Sequence, residues 1–306
     1  METTVYHIPA LLRQTIDGLN IKPDGVYVDC TFGGGGHARA ILEKLNKNGR
    51  LLVFDQDEQA LKNAVADKRL ILVHGNFKYL SNFLIYHGYE KVDGILADLG
   101  VSFHHFDEAD RGFSLRFDSQ LDMRMNQQSK LTAAQIIQTY TEEQLADVFY
   151  YYGELRNARN IARTIVKQRE LQTIESNMVL QDILNPLFHK GKEKKEMTKV
   201  FQALRIEVND EMTALKSLLE QSVQVLQEDG RMAILSYHSL EDRLVKNFFK
   251  AGNFEGKVEQ DFYGNFNAPF KAIGKLIVAD ADEVKANPRA RSAKLRIAAL
   301  HTENNR

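Results

Sequence analysis

The densest chemistry in these 306 residues lies in Asp29-Cys-Thr-Phe-Gly-Gly-Gly-Gly-His37. The run follows an apolar strand pattern, VYVDC (26–30), and opens a helical one, HARAILEKL (37–45). Gly33, Gly34, Gly35 and Gly36 let the backbone approach a ligand closely, and the helix start beyond them presents free N–H groups. Asp55 ends the next apolar run, LLVFD (51–55). A carboxylate there accepts hydrogen bonds from ribose hydroxyls. Together the loop and Asp55 predict an adenosine-containing cofactor at the carboxyl ends of the first two strands. Gly33-x-Gly35-x-x-Ala38 also satisfies the dinucleotide fingerprint. Against that reading, Asp29 repels a pyrophosphate but suits the ammonium of a methionine moiety, and no hydride-transfer residues follow. A plain tight turn is the remaining reading of the glycines.

Further candidates follow along the chain. Phe77, in Gly75-Asn-Phe77, offers an aromatic face for adenine or simply fills the core. Asp98 ends GILAD, at the sheet edge where open α/β proteins bind ligands. A charge there is costly unless used or paired, so Asp98 is either a working group or a loop cap. In FHHFDEADRGFSLRFDSQLDMRM (103–125), four phenylalanines interleave with His104, His105, Arg111, Arg116 and Arg124. Aromatics with arginines suit stacking on an unpaired base while gripping phosphates, or pin the loop to itself. The His104-His105 pair has no third ligand at metal spacing, so no metal is expected. Arg156, Arg159, Arg163 and Lys167 share one face if the segment is a helix. Lys285, Arg289, Arg291, Lys294 and Arg296 crowd KANPRARSAKLR, which has no acid of its own. Both runs are phosphate contacts or ordinary solvated faces.

Those residues need a scaffold, and the patterning supplies one. Short strand-like runs alternate with helical ones through the first hundred residues, also at LILVHG (70–75) and GILADLG (94–100). Such alternation predicts βαβ units and a parallel sheet. Residues 107–197 hold almost no strand pattern. They carry a capping-box signature, Thr141-Glu-Glu-Gln144, and a strong helix, LRNARNIARTIVKQR (155–169), and they read as an all-helical insertion. The charged stretch KGKEKKEMTK (190–199) reads as an exposed linker. A long helix over 201–230 is predicted to stop at Gly230. RMAILSYH (231–238) is a strand, Ser239 is the expected cap of the helix after it, and KLIVAD (275–280) and AKLRIAAL (293–300) are the last strands.

Composition sets outer limits. Hydrophobic residues make up 43% and charged residues 26%, which is globular. The formal net charge of −1 means that any polyanion must be met by local patches. The single cysteine, Cys30, excludes an internal disulfide and a cysteine-rich zinc site. No secretion signal or membrane-spanning run is visible, so no membrane partner and a cytoplasmic location are expected.

DCTFGGGGH, DGILADLGVS, RGFSLRFDSQLDMRM, FQALRIEVNDE, SYHSLEDRLVK and NPRARSAKLR together closely resemble the MraW/RsmH family. These are bacterial S-adenosylmethionine-dependent methyltransferases acting on the cytosine N4 of 16S ribosomal RNA. The resemblance runs in order from His7-x-Pro9 to the last strand. It implies a Rossmann-like, seven-stranded class I methyltransferase sheet over 1–106 and 198–306, with the insertion at 107–197 reading RNA. It implies S-adenosyl-L-methionine as cofactor, held by Gly35, Gly36, His37, Asp55, Phe77 and Asp98. His105 stands where the family usually has a cofactor-binding glutamine. The implied target is a cytidine near the ribosomal P site, in the decoding centre of the small subunit. An amino-methyltransferase of DNA or another RNA, a cofactor-binding ribosome-assembly protein without turnover, and a dinucleotide oxidoreductase are the competing readings.

Overall fold

The computed structural model describes residues 9–101, 111–258 and 268–301. It divides into two compact units, one made of residues 1–100 and 213–306, the other of 101–212. The insertion therefore begins and ends at different residues from the 107 and 197 expected.

The first unit is built on one eight-stranded sheet. In chain order it contains α1 (Leu12–Leu19), β1 (Val26–Asp29), α2 (Gly36–Lys44), β2 (Arg50–Asp55), α3 (Glu58–Leu61), β3 (Leu70–His74), α4 (Leu80–Tyr86) and β4 (Val92–Asp98). The strand order is β3-β2-β1-β4-β5-β8-β6. Strands β3, β2, β1, β4 and β5 (Leu226–Ser236) run parallel. This is the doubly wound arrangement, reversing direction at β1 and β4, where ligand crevices form. Antiparallel β8 (Lys294–Leu300) then covers β5. The sheet has seven positions, because the seventh is occupied by two short pieces. Strands β6 (Phe270–Ala272) and β7 (Ile277–Val278) pair with opposite ends of β8. Gly274, at φ +73°, breaks the strand between them.

Alternation along the strands fills both faces of the sheet. Leu52 and Phe54 of β2 join Val28, Ile95 and Leu219 in one core, while Leu51 and Val53 join Tyr27, Ile41 and Leu96 in the other. This is why the strands read as unbroken apolar runs.

The second unit is helical and has its own core. Among the described residues its α-helices are α5 (Ala133–Thr139), α6 (Glu142–Tyr151), α7 (Ala158–Arg169), α8 (Asn177–Leu184) and α9 (Glu193–Asn209). Ile136, Phe149, Ile161, Ile165, Leu180 and Leu204 are fully buried together. Thr141 makes both bonds of the predicted capping box with Gln144. Phe113 belongs to this core.

Three local expectations are corrected. The charged stretch 190–199 is not a linker: α9 starts within it, with Glu193 and Glu196 in the first turn, where acids complement the helix dipole. The helix expected to run to Gly230 breaks at Asp210, a left-handed residue at φ 52°, and resumes as α10 (Glu211–Val225). Strand β5 begins directly after it, and the register of β4 with β5 slips between Val92 and Gly94, so Gly230 lies inside a strand irregularity. Helix α11 (Ser239–Ala251) is capped by His238, not by Ser239.

Candidate active site

The root of the glycine loop is tied between strands. The Cys30 N–H donates to the Leu96 carbonyl at 2.8 Å, and the Phe32 N–H to the Phe54 carbonyl at 2.9 Å. The Asp98 N–H donates to Thr31 Oγ1 at 2.7 Å. These bonds extend β1 past its last paired residue and hold the ends of β1, β2 and β4 at one edge.

Each loop glycine then has its own reason. The Gly33 N–H donates to Asp55 Oδ2 at 2.8 Å. The other oxygen of Asp55 accepts the Asp57 N–H at 2.9 Å. Asp55 thus braces the loop through backbone donors. Gly35 has φ +71°, and a Cβ there would meet the Phe32 ring at 2.9 Å. A Cβ on Gly36 would overlap the Pro9 ring, whereas a Cβ on Gly34 would meet nothing within 4 Å. Gly34 therefore faces open space, as a residue lying against a ligand must.

Three ionisable side chains converge beneath this loop. Asp29 is buried, with Oδ1 accepting the Thr31 N–H at 3.0 Å and Oδ2 making no hydrogen bond among the described residues. Burial, with added repulsion from Asp98 and Asp55, pushes its carboxyl up to about 7 against the pull of the Thr31 amide. Asp98 is raised to about 7 as well, by burial and, less strongly, by Glu241, opposed by a hydrogen bond from Tyr237. That bond runs from the Tyr237 hydroxyl to Asp98 Oδ1 at 2.7 Å. His37 Nδ1 lies 3.7 Å from Asp98 Oδ2. Burial lowers His37 to about 4, against a bond to the Ala10 backbone, so its ring is neutral at physiological pH. Tyr237 follows β5 and is itself held, its N–H donating to Glu241 Oε2 at 2.9 Å. Burial and the adjacent Asp98 raise its hydroxyl well above the usual range, which keeps it a donor.

Two carboxyl groups poised near neutrality, one of them with an oxygen that makes no hydrogen bond among the described residues, suit a cationic ligand better than a pyrophosphate. The model of the MraW methylase family matches residues 4–301. The chain belongs to that family. The ribosomal RNA small subunit methyltransferase H of Bacteroides fragilis is 57% identical over 97% of this chain and 98% of its own. Its namesake from Flavobacterium johnsoniae is 55% identical over 97% and 99%. Among solved structures, an rRNA methylase from Streptococcus thermophilus superposes with a TM-score of 0.42 at 13% identity, covering 97% and 99%.

As an MraW methylase, the protein uses S-adenosyl-L-methionine as methyl donor. The residues present fit that group. The orphaned Oδ2 of Asp29 faces the need for a cation's N–H, and the open side of Gly34 leaves room for the ligand. Phe77 opens a 3-10 turn, Phe77–Tyr79, and is half-buried against the core beneath it. His105, with His104 and the rest of 102–110, lies outside the described residues.

The basic residues separate. Arg111 is buried and donates to the carbonyls of Arg124 and Met125, at 2.9 and 3.2 Å, so it pins its own loop rather than facing a phosphate. Arg156 precedes α7 instead of joining its face, while Arg159, Arg163 and Lys167 are exposed along it. Arg163 pairs with Glu142 at 3.4 Å. The acid missing from the carboxyl-terminal cluster arrives from α11: Asp242 takes Arg296 at 2.7 Å and Lys294 at 3.3 Å. Arg289 is half-buried and Arg291 exposed. No helix among the described residues is long and apolar enough to cross a membrane.

Sequence reasoning missed Tyr237 and Thr31. Tyr237 enters the sequence reading only within the expected strand RMAILSYH, which in fact ends at Ser236, and within the block that carries the resemblance; only the pairing of Asp98 with Leu235 across β4 and β5 brings it to Asp98.

Proposed function

We propose that this protein transfers a methyl group from S-adenosyl-L-methionine to N4 of a cytidine in the decoding centre of 16S ribosomal RNA. The observation that carries the reading is the Tyr237–Asp98 pair at the carboxyl end of β4, beside the glycine loop. The names of the relatives above support a small-subunit ribosomal RNA substrate. The cytosine N4 and the P-site region rest on the sequence resemblance.

The cofactor supplies an electrophilic methyl on a sulfonium. The chain's residues do the rest. Asp29 offers its Oδ2, which makes no hydrogen bond among the described residues, to the ammonium of the amino-acid moiety, and the Asp55 carboxylate accepts from the ribose hydroxyls. The cytosine amine is a poor nucleophile, because its lone pair is delocalised into the ring. Asp98 accepts an amine N–H, which orients the amine and stabilises positive charge as it develops on nitrogen. Tyr237 fixes the carboxylate that does this, and neutral His37 adds no competing cation. The base must be unpaired or flipped to reach the strand ends. The helical unit reads the flanking RNA through exposed Arg159 and Lys167, with Arg156 and Arg163 beside them, and Arg289 and Arg291 contribute from the sheet unit. Such a substrate places the enzyme in the cytoplasm.

The test is mass spectrometry of small-subunit RNA from cells lacking the protein, repeated after adding back the wild type or Asp98→Asn. Loss of one N4-methylcytidine, restored by the wild type and not by the variant, is expected. An unchanged modification pattern overturns the reading.

A further inference from the structure

A second concavity lies in the sheet unit, apart from the glycine loop. It has a volume of about 390 Å³ and is framed by the second half of α11, the broken seventh strand and β8. Among the described residues its charged lining is entirely basic: Lys246, Lys250, Lys275 and Arg296. The two α11 lysines are four residues apart, hence on one helix face. Lys275 is set opposite them by the turn at Gly274, whose φ of +73° breaks the edge strand between Ala272 and Ile277.

The four cations are not equivalent. Arg296 is already held by Asp242 at 2.7 Å. Lys246, Lys250 and Lys275 are exposed, and none makes an ion pair among the described residues. The floor beneath them is apolar, with Phe249 and Phe270 buried and their rings 5.3 Å apart. Those rings pack on each other, so they offer no face to a base. Three unspent ammonium groups over a low-dielectric floor focus a positive field into the cavity, in a chain whose net charge is −1. That chemistry takes phosphates, not bases.

Its position names the polymer. Arg296 pairs with Ile234, two residues before Ser236 at the end of β5. The strand rise and spacing put these two within about 8 Å of each other. Helix α11, which carries the lysines, starts two residues after Tyr237, and Lys246 and Lys250 lie about 10 and 16 Å along its axis from that start. We propose that Lys246, Lys250 and Lys275 form a phosphate-binding cradle for the RNA backbone flanking the target nucleotide. This rests on the functional reading above.

The experiment uses the full-length protein and purified small-subunit ribosomal RNA. Binding is measured across a salt series for the wild type, for a Lys246→Gln, Lys250→Gln, Lys275→Gln triple variant, and for a control triple, Lys44→Gln, Lys47→Gln, Lys68→Gln. The control removes the same charge from exposed sites elsewhere. The cradle variant is expected to lower the slope of log K against log salt by about two, at about 0.7 per single-stranded phosphate contact. That corresponds to roughly fiftyfold weaker binding near 0.15 M salt. S-adenosylmethionine affinity and melting temperature should hold, and the control should match the wild type. A cradle variant with the wild-type slope, or a control with an equal loss, overturns the proposal while leaving RNA methylation standing. A wild type that methylates no ribosomal RNA overturns the functional reading, and the cradle's RNA with it.

Discussion

Replacing Asp29 by asparagine isolates the electrostatic stress stored under the glycine loop. Asp29 is 1% exposed and its carboxyl is raised from an ordinary 3.8 to about 7, by burial before all else. A raised acid favours folding at low pH, because the folded state keeps a proton that the unfolded chain has lost. That advantage is fully present below 3.8 and is lost as pH climbs to 7. Relative to low pH, the penalty is about 2 kcal/mol near pH 5 and about 4 kcal/mol near pH 8. The ligand-free wild type therefore loses about 2–3 kcal/mol through this one group over that interval, and Asp29→Asn does not. Urea unfolding of both proteins at both pH values gives the double difference, in which any constant cost of the new amide cancels. His37 cancels too. Its depressed value of about 4 gives stability above 6.5 that fades as pH falls, equally in both proteins. A variant whose stability follows pH as steeply as the wild type's would refute the assignment of a strained buried carboxyl.

Three other outcomes follow from the same site. Because a cation favours the ionised forms of Asp29 and Asp98, S-adenosylmethionine affinity should rise with pH until it levels off above about 7, with proton release visible by calorimetry in buffers of different ionisation enthalpy; a flat profile counts against the pairing. Gly34→Ala should melt like the wild type yet bind cofactor about tenfold or more weakly, whereas Gly36→Ala, pressed against Pro9, should lose about 1–3 kcal/mol of stability; equal effects at the two positions would contradict the loop geometry. Tyr237→Phe removes a donor to a charged group, so kcat should fall about ten- to a hundredfold with little change in melting or in KM for RNA, and unchanged turnover would make the tyrosine mere packing.

Legibility differed between neighbouring residues for physical reasons. Asp29, Asp55 and Asp98 stood out because each ends an apolar run, where an acid has no packing rationale. Tyr237 gave no such sign. A tyrosine after a strand is ordinary until β4 and β5 are known to be adjacent, and Asp98 and Tyr237 are 139 residues apart in the chain. Arg296 looked free for the same reason, since its partner Asp242 is supplied by a helix 54 residues away. The break at Asp210 was hidden because the apolar stripe continues through it, and left-handed aspartate carries no sequence mark as strong as glycine's. The divided seventh strand escaped notice because pieces of three and two residues are too short to display a period.

The position of the helical unit in the chain also governs how the sheet is born. Strands β4 and β5 are neighbours in the sheet, yet the whole of 101–212 is synthesised between them. At 5–20 residues per second, roughly 6–25 s separate the last residue of β4 from the first of β5 on the ribosome. Through that interval β4 can pair with β1 on one side only, and its other edge, fully apolar from Ile95 to Ala97, waits open. The helical unit has a core made of its own residues and can fold while the sheet waits. Nascent chains should therefore pass through a state with one finished unit and one half-built sheet, and in that state they depend most on chaperones that cover an exposed strand.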